Sequence, residues 1–163
     1  ELRPLSSKIK LTGVFVNPDI RYVKETIHTY QLNAVQLCGE ELPDICEDLR
    51  RYAEVLKVIH VDADTDLSSA IREYQNQCDC FLFDTKTEKY GGSGKKFSWE
   101  QLTAYSFPRP FFLSGGISVE DADAIQTFRH PDLVGVDINS RFELAPGLKD
   151  LDKIKTFVKQ LSI

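Results

Sequence analysis

Short apolar runs alternate along this chain with longer segments in which apolar residues recur at every third or fourth position. The runs read as buried strands, and the longer segments as helices that pack on them through one apolar stripe. Strands are expected over residues 11–16, 34–37, 55–61, 80–83, 111–113 and 133–136. Helices are expected over residues 18–30, 42–52, 67–74, 119–128 and 150–161, with a further one opening near Ser98 as N-cap. Pro18 suits a first helical turn, where its missing N–H forfeits no hydrogen bond. Asp66 suits the N-cap of the third helix. The second helix would bury Leu42, Ile45, Cys46 and Leu49, and the last would bury Ile154, Phe157, Val158 and Leu161.

Strict alternation of strand and helix implies a parallel sheet with right-handed crossovers, hence an α/β fold. Six such units in 163 residues take about 27 residues each, the spacing of a compact βα barrel. A doubly wound open sheet satisfies the same pattern. Six strands do not by themselves close the eight-stranded barrel, and a barrel fragment would leave two apolar sheet edges that favour association.

The carboxyl ends of the later strands carry the chemistry. Phe81-Leu82-Phe83 runs into Asp84-Thr85-Lys86, followed by the glycine-dense Gly91-Gly92-Ser93-Gly94-Lys95. Phe111-Phe112-Leu113-Ser114 runs into Gly115-Gly116-Ile117, and Leu133-Val134-Gly135-Val136 into Asp137. Such a rim is where parallel-sheet enzymes keep their catalytic groups. Asp84 reads either as a partly desolvated acid or as a brace for the loop that follows it. The Gly115-Gly116 and Asn139-Ser140 turns, on the last two strands, suit a phosphorylated ligand, because glycine lets the backbone approach an anion. The Gly91–Gly94 loop lacks Walker spacing and reads as a lid over the site.

Composition narrows the classes. The hydrophobic share is 42% and the charged share 28%, ordinary for a globular domain. A net charge of −5 without a basic stripe excludes a nucleic-acid surface. No run approaches the ~18 apolar residues of a membrane span. The four cysteines lack disulfide-framework or zinc spacing, and the three histidines are scattered, so reduced thiols in the cytoplasm and no metal are expected. The chain has no methionine and opens on Glu1-Leu2-Arg3-Pro4, which reads as a fragment of a longer polypeptide.

Five motifs in register resemble the phosphoribosylanthranilate isomerase family. They are Gly13-Val14-Phe15-Val16-Asn17; Leu32 to Glu40, with Cys38-Gly39-Glu40 at its end; Asp84-Thr85-Lys86 with Gly91 to Lys95; Leu113-Ser114-Gly115-Gly116-Ile117; and the block from Asp137 to Asp150, with Pro146-Gly147 inside it. The resemblance implies a (βα)8 TIM barrel, with residues 1–163 as one N-terminally incomplete domain covering units three to eight. It also implies an Amadori rearrangement in tryptophan biosynthesis, without cofactor or metal. The partner implied is a small phosphoribosyl substrate, with no nucleic acid and no membrane, in a monomer or homodimer. Asp84 matches the general acid that opens the ribose ring. The backbone of Gly115, Gly116, Asn139 and Ser140 matches the phosphate site, and Asp137 the carboxylate facing the sugar.

The chain departs from the family in three ways. The family's base cysteine, in Lys-x-Cys-Gly on its first strand, and its anthranilate-binding arginine are not among these residues, and a longer polypeptide is expected to carry both. Cys38 stands where histidine is usual, either as a substitute base or as a small residue of the pocket wall. Arg141 replaces a glycine in the phosphate turn, where its guanidinium would either bind phosphate or face solvent. Two alternatives remain: another sugar-phosphate barrel such as an epimerase or lyase, or a non-catalytic phosphosugar-binding remnant. Lys57 is the one strand lysine that the first would use, and its orientation is open at this point.

Overall fold

The computed structural model describes residues 9–86 and 97–161, so the Gly91–Gly94 loop expected to form a lid lies outside the described residues. Six parallel strands form one sheet in the order β1 (Thr12–Phe15), β2 (Ala34–Leu37), β3 (Glu54–Val61), β4 (Cys80–Thr85), β5 (Phe111–Leu113) and β6 (Leu133–Val136). Five α-helices follow strands: α1 (Ile20–Tyr30), α2 (Pro43–Leu49), α3 (Leu67–Tyr74), α4 (Ala122–Thr127) and α5 (Leu151–Leu161). Sequential neighbours that run in one direction with helical crossovers are the βα repeat that the apolar pattern predicts. The chain packs as two compact units.

The first unit holds the described residues up to 59 and residues 66–81. Here Thr12 pairs with Ala34 and Phe15 with Leu37, while Ala34 pairs with Glu54 and Leu37 with Lys57. Val23 and Ile27 of α1, Cys46 and Leu49 of α2, and Leu67 and Ile71 of α3 are buried along with Val35, Leu37 and Val55 of the strands. Several boundaries differ from expectation. Pro18 lies ahead of α1, because Asp19 is the N-cap and its carboxylate accepts the Arg21 N–H at 2.8 Å. Pro43 takes the first-turn position in α2, which leaves Leu42 outside as an exposed N-cap; the helix ends at Leu49. Asp66 caps α3 as expected, accepting the Ser69 N–H at 3.1 Å.

The second unit holds residues 60–65 and the described residues from 82 onward. Its core is an aromatic cluster in which Phe83, Phe107, Phe111 and His130 stack edge-on or tilted at centroid distances of 4.9–5.3 Å. His130 is a packing residue: its Nδ1 accepts the Asp132 N–H, so Nε2 carries the proton and donates to the Tyr105 carbonyl at 3.0 Å. The α-helix expected to open at Ser98 is instead a 3₁₀ segment, Trp99–Ala104, and Ser98 makes no side-chain cap bond. The next expected helix opens as a 3₁₀ turn, Val119–Asp121, before α4. Ser118 and Asp121 form a reciprocal capping box there, which fixes the start of the turn.

Two further strands were not expected. β7 (Glu143–Ala145) and β8 (Leu148–Lys149) pair antiparallel around Pro146-Gly147, where Gly147 adopts φ 79°. Of the apolar face expected for α5, Phe157 is buried against Phe142, but Val158 is 51% exposed. A helix that buries a narrow stripe leaves the residue beside it in solvent.

Candidate functional site

β4 continues through Asp84 and Thr85, two residues beyond the expected end, so Asp84 is held by the ladder. The strand ends of the second unit are tied together in sequence. Lys86 N donates to Val61 O, Ser114 N to Phe83 O and Asp137 N to Leu113 O, at 2.7–2.8 Å. These bonds bring the ends of β3, β4, β5 and β6 side by side, and with them His60, Asp84, Ser114 and Asp137.

Burial pushes the Asp84 carboxyl up from its ordinary value. The charge of His60, the Thr85 N–H and the Ser114 hydroxyl oppose that rise, while the charge of Asp137 adds to it. Asp84 Oδ1 accepts the Thr85 N–H at 2.8 Å. Ser114 Oγ donates to Asp137 Oδ2 at 2.9 Å, fixing the second carboxylate. A half-buried carboxyl whose proton is held above the usual range is equipped to donate it.

Gly115 has a reason to be glycine. Its φ is 92°, and a Cβ there would lie 2.3 Å from Thr85 Oγ1 and 2.7 Å from Thr85 N. Gly116 also takes a positive φ, of 71°. The N–H groups of both glycines make no hydrogen bond to the described residues. Asn139 precedes the 3₁₀ turn Ser140–Phe142, and its side-chain oxygen accepts from Lys149 Nζ at 2.6 Å. Lys149 also pairs with Glu143 at 2.8 Å, which anchors the hairpin to this turn. Arg141 is exposed and makes no ion pair among the described residues. The structure thus gathers Asp84, Asp137, Gly115 and Gly116 at successive strand ends, and places Asn139, Ser140 and Arg141 just past β6.

Cys38 belongs to the first unit, one residue past β2. Its N–H donates to Phe15 O at 2.8 Å, and its sulfur accepts from Gln36 Nε2 at 3.3 Å. Lys57 points inward, is 2% exposed, and donates from Nζ to Glu41 at 2.7 Å and to the Gly39 carbonyl at 2.6 Å. A side-chain nitrogen so committed is not poised to attack a carbonyl, which argues against the lyase reading of this lysine.

Three of these residues were not singled out from sequence. Ser114 carried a faint signal, as a hydroxyl between an apolar run and a glycine pair. His60 carried none, since a lone histidine in a strand reads as packing. Glu41 became visible only through Lys57. No group of three or more His, Cys, Asp or Glu residues is placed to hold a metal ion among the described residues. No helix among them is long and apolar enough to cross a membrane.

The family described as N-(5'phosphoribosyl)anthranilate (PRA) isomerase matches residues 3–160. An N-(5'-phosphoribosyl)anthranilate isomerase from Parabacteroides distasonis is 48% identical over 153 residues, covering 93% of this chain and 69% of its own length. The solved phosphoribosyl anthranilate isomerase of Thermotoga maritima superposes with a TM-score of 0.84 at 38% identity, covering 96% of this chain and 75% of that one. A second solved isomerase, in complex with reduced 1-(o-carboxyphenylamino)-1-deoxyribulose 5-phosphate, superposes at 0.80 with 31% identity, over 96% and 73% of the two chains. These neighbours are TIM-type α/β barrels, and the consecutive parallel strands β1 to β6 are consistent with that (βα)8 fold. Sequence and fold agree over nearly all of its length, and the chain belongs to the N-(5'-phosphoribosyl)anthranilate isomerase family.

Proposed function

We propose that this chain carries the isomerase activity of its family. The substrate is N-(5'-phosphoribosyl)anthranilate and the product 1-(2-carboxyphenylamino)-1-deoxyribulose 5-phosphate, an Amadori rearrangement in tryptophan biosynthesis. Asp84 is the general acid. Its proton goes to the ribose ring oxygen, the bond from that oxygen to C1 breaks, and the anthranilate nitrogen supplies the electron pair that forms the Schiff base. Loss of the C2 proton then gives an enol amine, which tautomerises to the ketone. Only protons move, so the reaction calls for no cofactor or metal.

The backbone of Gly115, Gly116, Asn139 and Ser140 holds the phosphate, Asp137 faces the sugar, and Cys38 is a substrate-binding residue. Arg141, exposed beside the phosphate turn, adds long-range attraction for the anion. The general base is not assigned among these residues. The protein works as a monomer or homodimer; one solved Thermotoga maritima relative is described as monomers generated from a dimeric isomerase, with a TM-score of 0.78 at 33% identity over 94% of this chain and 72% of that one. A cytoplasmic setting fits four cysteines of which none is in a disulfide.

The observation that carries this reading is the raised, half-buried Asp84 carboxyl beside the Ser114–Asp137 pair. The test is consumption of N-(5'-phosphoribosyl)anthranilate by the full-length protein, followed by loss of anthranilate fluorescence. Turnover supports the isomerase. Tight binding of the reduced product without turnover would leave a phosphosugar-binding protein in its place.

A further inference from the structure

The most deeply buried ion pair among the described residues lies outside the acid site. Lys57 and Glu41 meet at 2.7 Å with side chains 2% and 1% exposed. Neither takes part in the chemistry proposed above. Burying two charges costs heavily in desolvation, and an apolar pair of the same volume often supports a fold as well or better. What an apolar pair cannot do is bond the backbone, and here nearly every polar atom of the pair does so.

Lys57 Nζ donates to the Gly39 carbonyl at 2.6 Å and reaches the Leu37 carbonyl at 3.5 Å. Glu41 Oε1 accepts the Gly39 N–H at 2.9 Å and the Asn17 N–H at 2.9 Å. The Glu41 carbonyl is held in turn by the Tyr74 hydroxyl at 3.0 Å, and the Tyr74 ring lies 5.2 Å from Lys57 Nζ. Asn17 sits in the left-handed region at φ 46°, and its side chain accepts the Glu40 N–H at 2.7 Å. A Cβ on Gly39 would lie 2.3 Å from that Asn17 oxygen, so the turn is closed around the pair. The bonded backbone groups bracket Cys38 on both sides.

We infer that the Lys57–Glu41 pair is a positioning device that clamps the Leu37–Gly39 backbone and so sets the place of Cys38. The inference rests on the isomerase reading, in which Cys38 is a substrate-binding residue. Lys57 and Glu41 are positioning residues, because they act on substrate through the Cys38 peptide. Tyr74 supports them from α3.

The test compares the full-length protein with Lys57→Met, with the double variant Lys57→Met/Glu41→Leu, and with Tyr74→Phe. Lys57→Met strands a buried carboxylate and lowers the thermal midpoint, and the double variant restores the midpoint by removing both charges. In the double variant kcat/KM stays down by roughly ten- to a hundredfold, mostly through KM, because the clamp is still absent. Under native conditions the rate at which iodoacetamide alkylates Cys38, read on its peptide by mass spectrometry, rises in the double variant and in Tyr74→Phe. Cys46 and Cys80 are buried, with thiols pushed up to about 11 and about 12 by that burial, so they give little background.

A double variant with both wild-type kcat/KM and wild-type Cys38 alkylation overturns the inference. Should that variant fail to fold, unchanged KM and alkylation in Tyr74→Phe overturn it equally. Wild-type protein without turnover would sink the isomerase reading, and the alkylation rates would then decide the clamp by themselves.

Discussion

Ser114 Oγ donates to Asp137 Oδ2 at 2.9 Å, joining the ends of β5 and β6 through their side chains. Ser114 is buried, so the bond is sheltered from competing water. Ser114→Ala leaves the Asp137 carboxylate short of a donor and costs about 1–3 kcal/mol of stability. Chemical denaturation of the variant checks this, and an unchanged midpoint would show that Asp137 finds another donor.

Asp84 works against the fold at neutral pH. Its carboxyl is raised in the folded state, so the folded protein holds that proton more tightly than the unfolded chain does. The stability this contributes is present at low pH and lost as pH rises through the folded value. Asp84→Asn stays neutral throughout, so its thermal midpoint should exceed that of the wild type at pH 7, with the gap closing as the solution is acidified. A lower midpoint at pH 7 would mean that the charged carboxylate is needed for packing.

His60 supplies positive charge that opposes the rise of Asp84. The other groups facing Asp84 are Asp137, Ser114 and the Thr85 N–H. His60→Gln removes a charge that favours the ionised acid, so the Asp84 carboxyl moves further up. A general acid acts in its protonated form, and the basic limb of the pH–rate profile should therefore shift to higher pH. An unmoved limb would take His60 out of the site's electrostatics.

Two glycines with positive φ should behave differently. Gly115→Ala meets both a φ of 92° and the Thr85 backbone, whereas Gly147→Ala, at φ 79°, meets nothing within 4 Å. The second change costs about 1–2 kcal/mol for the backbone conformation alone. The first should cost more and also weaken binding of the reduced product, because the turn must shift. Equal losses in calorimetric melting would contradict the close approach of Gly115 to Thr85.

Much of this architecture was legible because apolar runs and small turn residues leave strong local marks. Phe81-Leu82-Phe83 before Asp84 pointed to a strand end with a carboxylate, and Ser114-Gly115-Gly116 to a tight turn on the next strand. The elements that were missed had weak local signals. β7 and β8 span three and two residues, too short to show a period. The 3₁₀ segment after Ser98 has apolar residues at helical spacing, and nothing in that spacing separates the tighter turn from an α-helix. Val158 falls in helical period with Ile154, yet the contact of Phe157 with Phe142 fills only one stripe of α5. Lys57 could not be oriented because its partner, Glu41, lies in the loop after β2, and pairing between a strand and a distant loop leaves no trace in periodicity.

The assignment of Asp84 as the acid is decided by full-length Asp84→Asn, through its turnover of N-(5'-phosphoribosyl)anthranilate measured beside its affinity for the reduced product. With Asp84 as the acid, turnover falls by about 10²–10⁴-fold while that affinity holds. Turnover near the wild-type rate would take the acid role away from Asp84, and with it the ring-opening step proposed for this site.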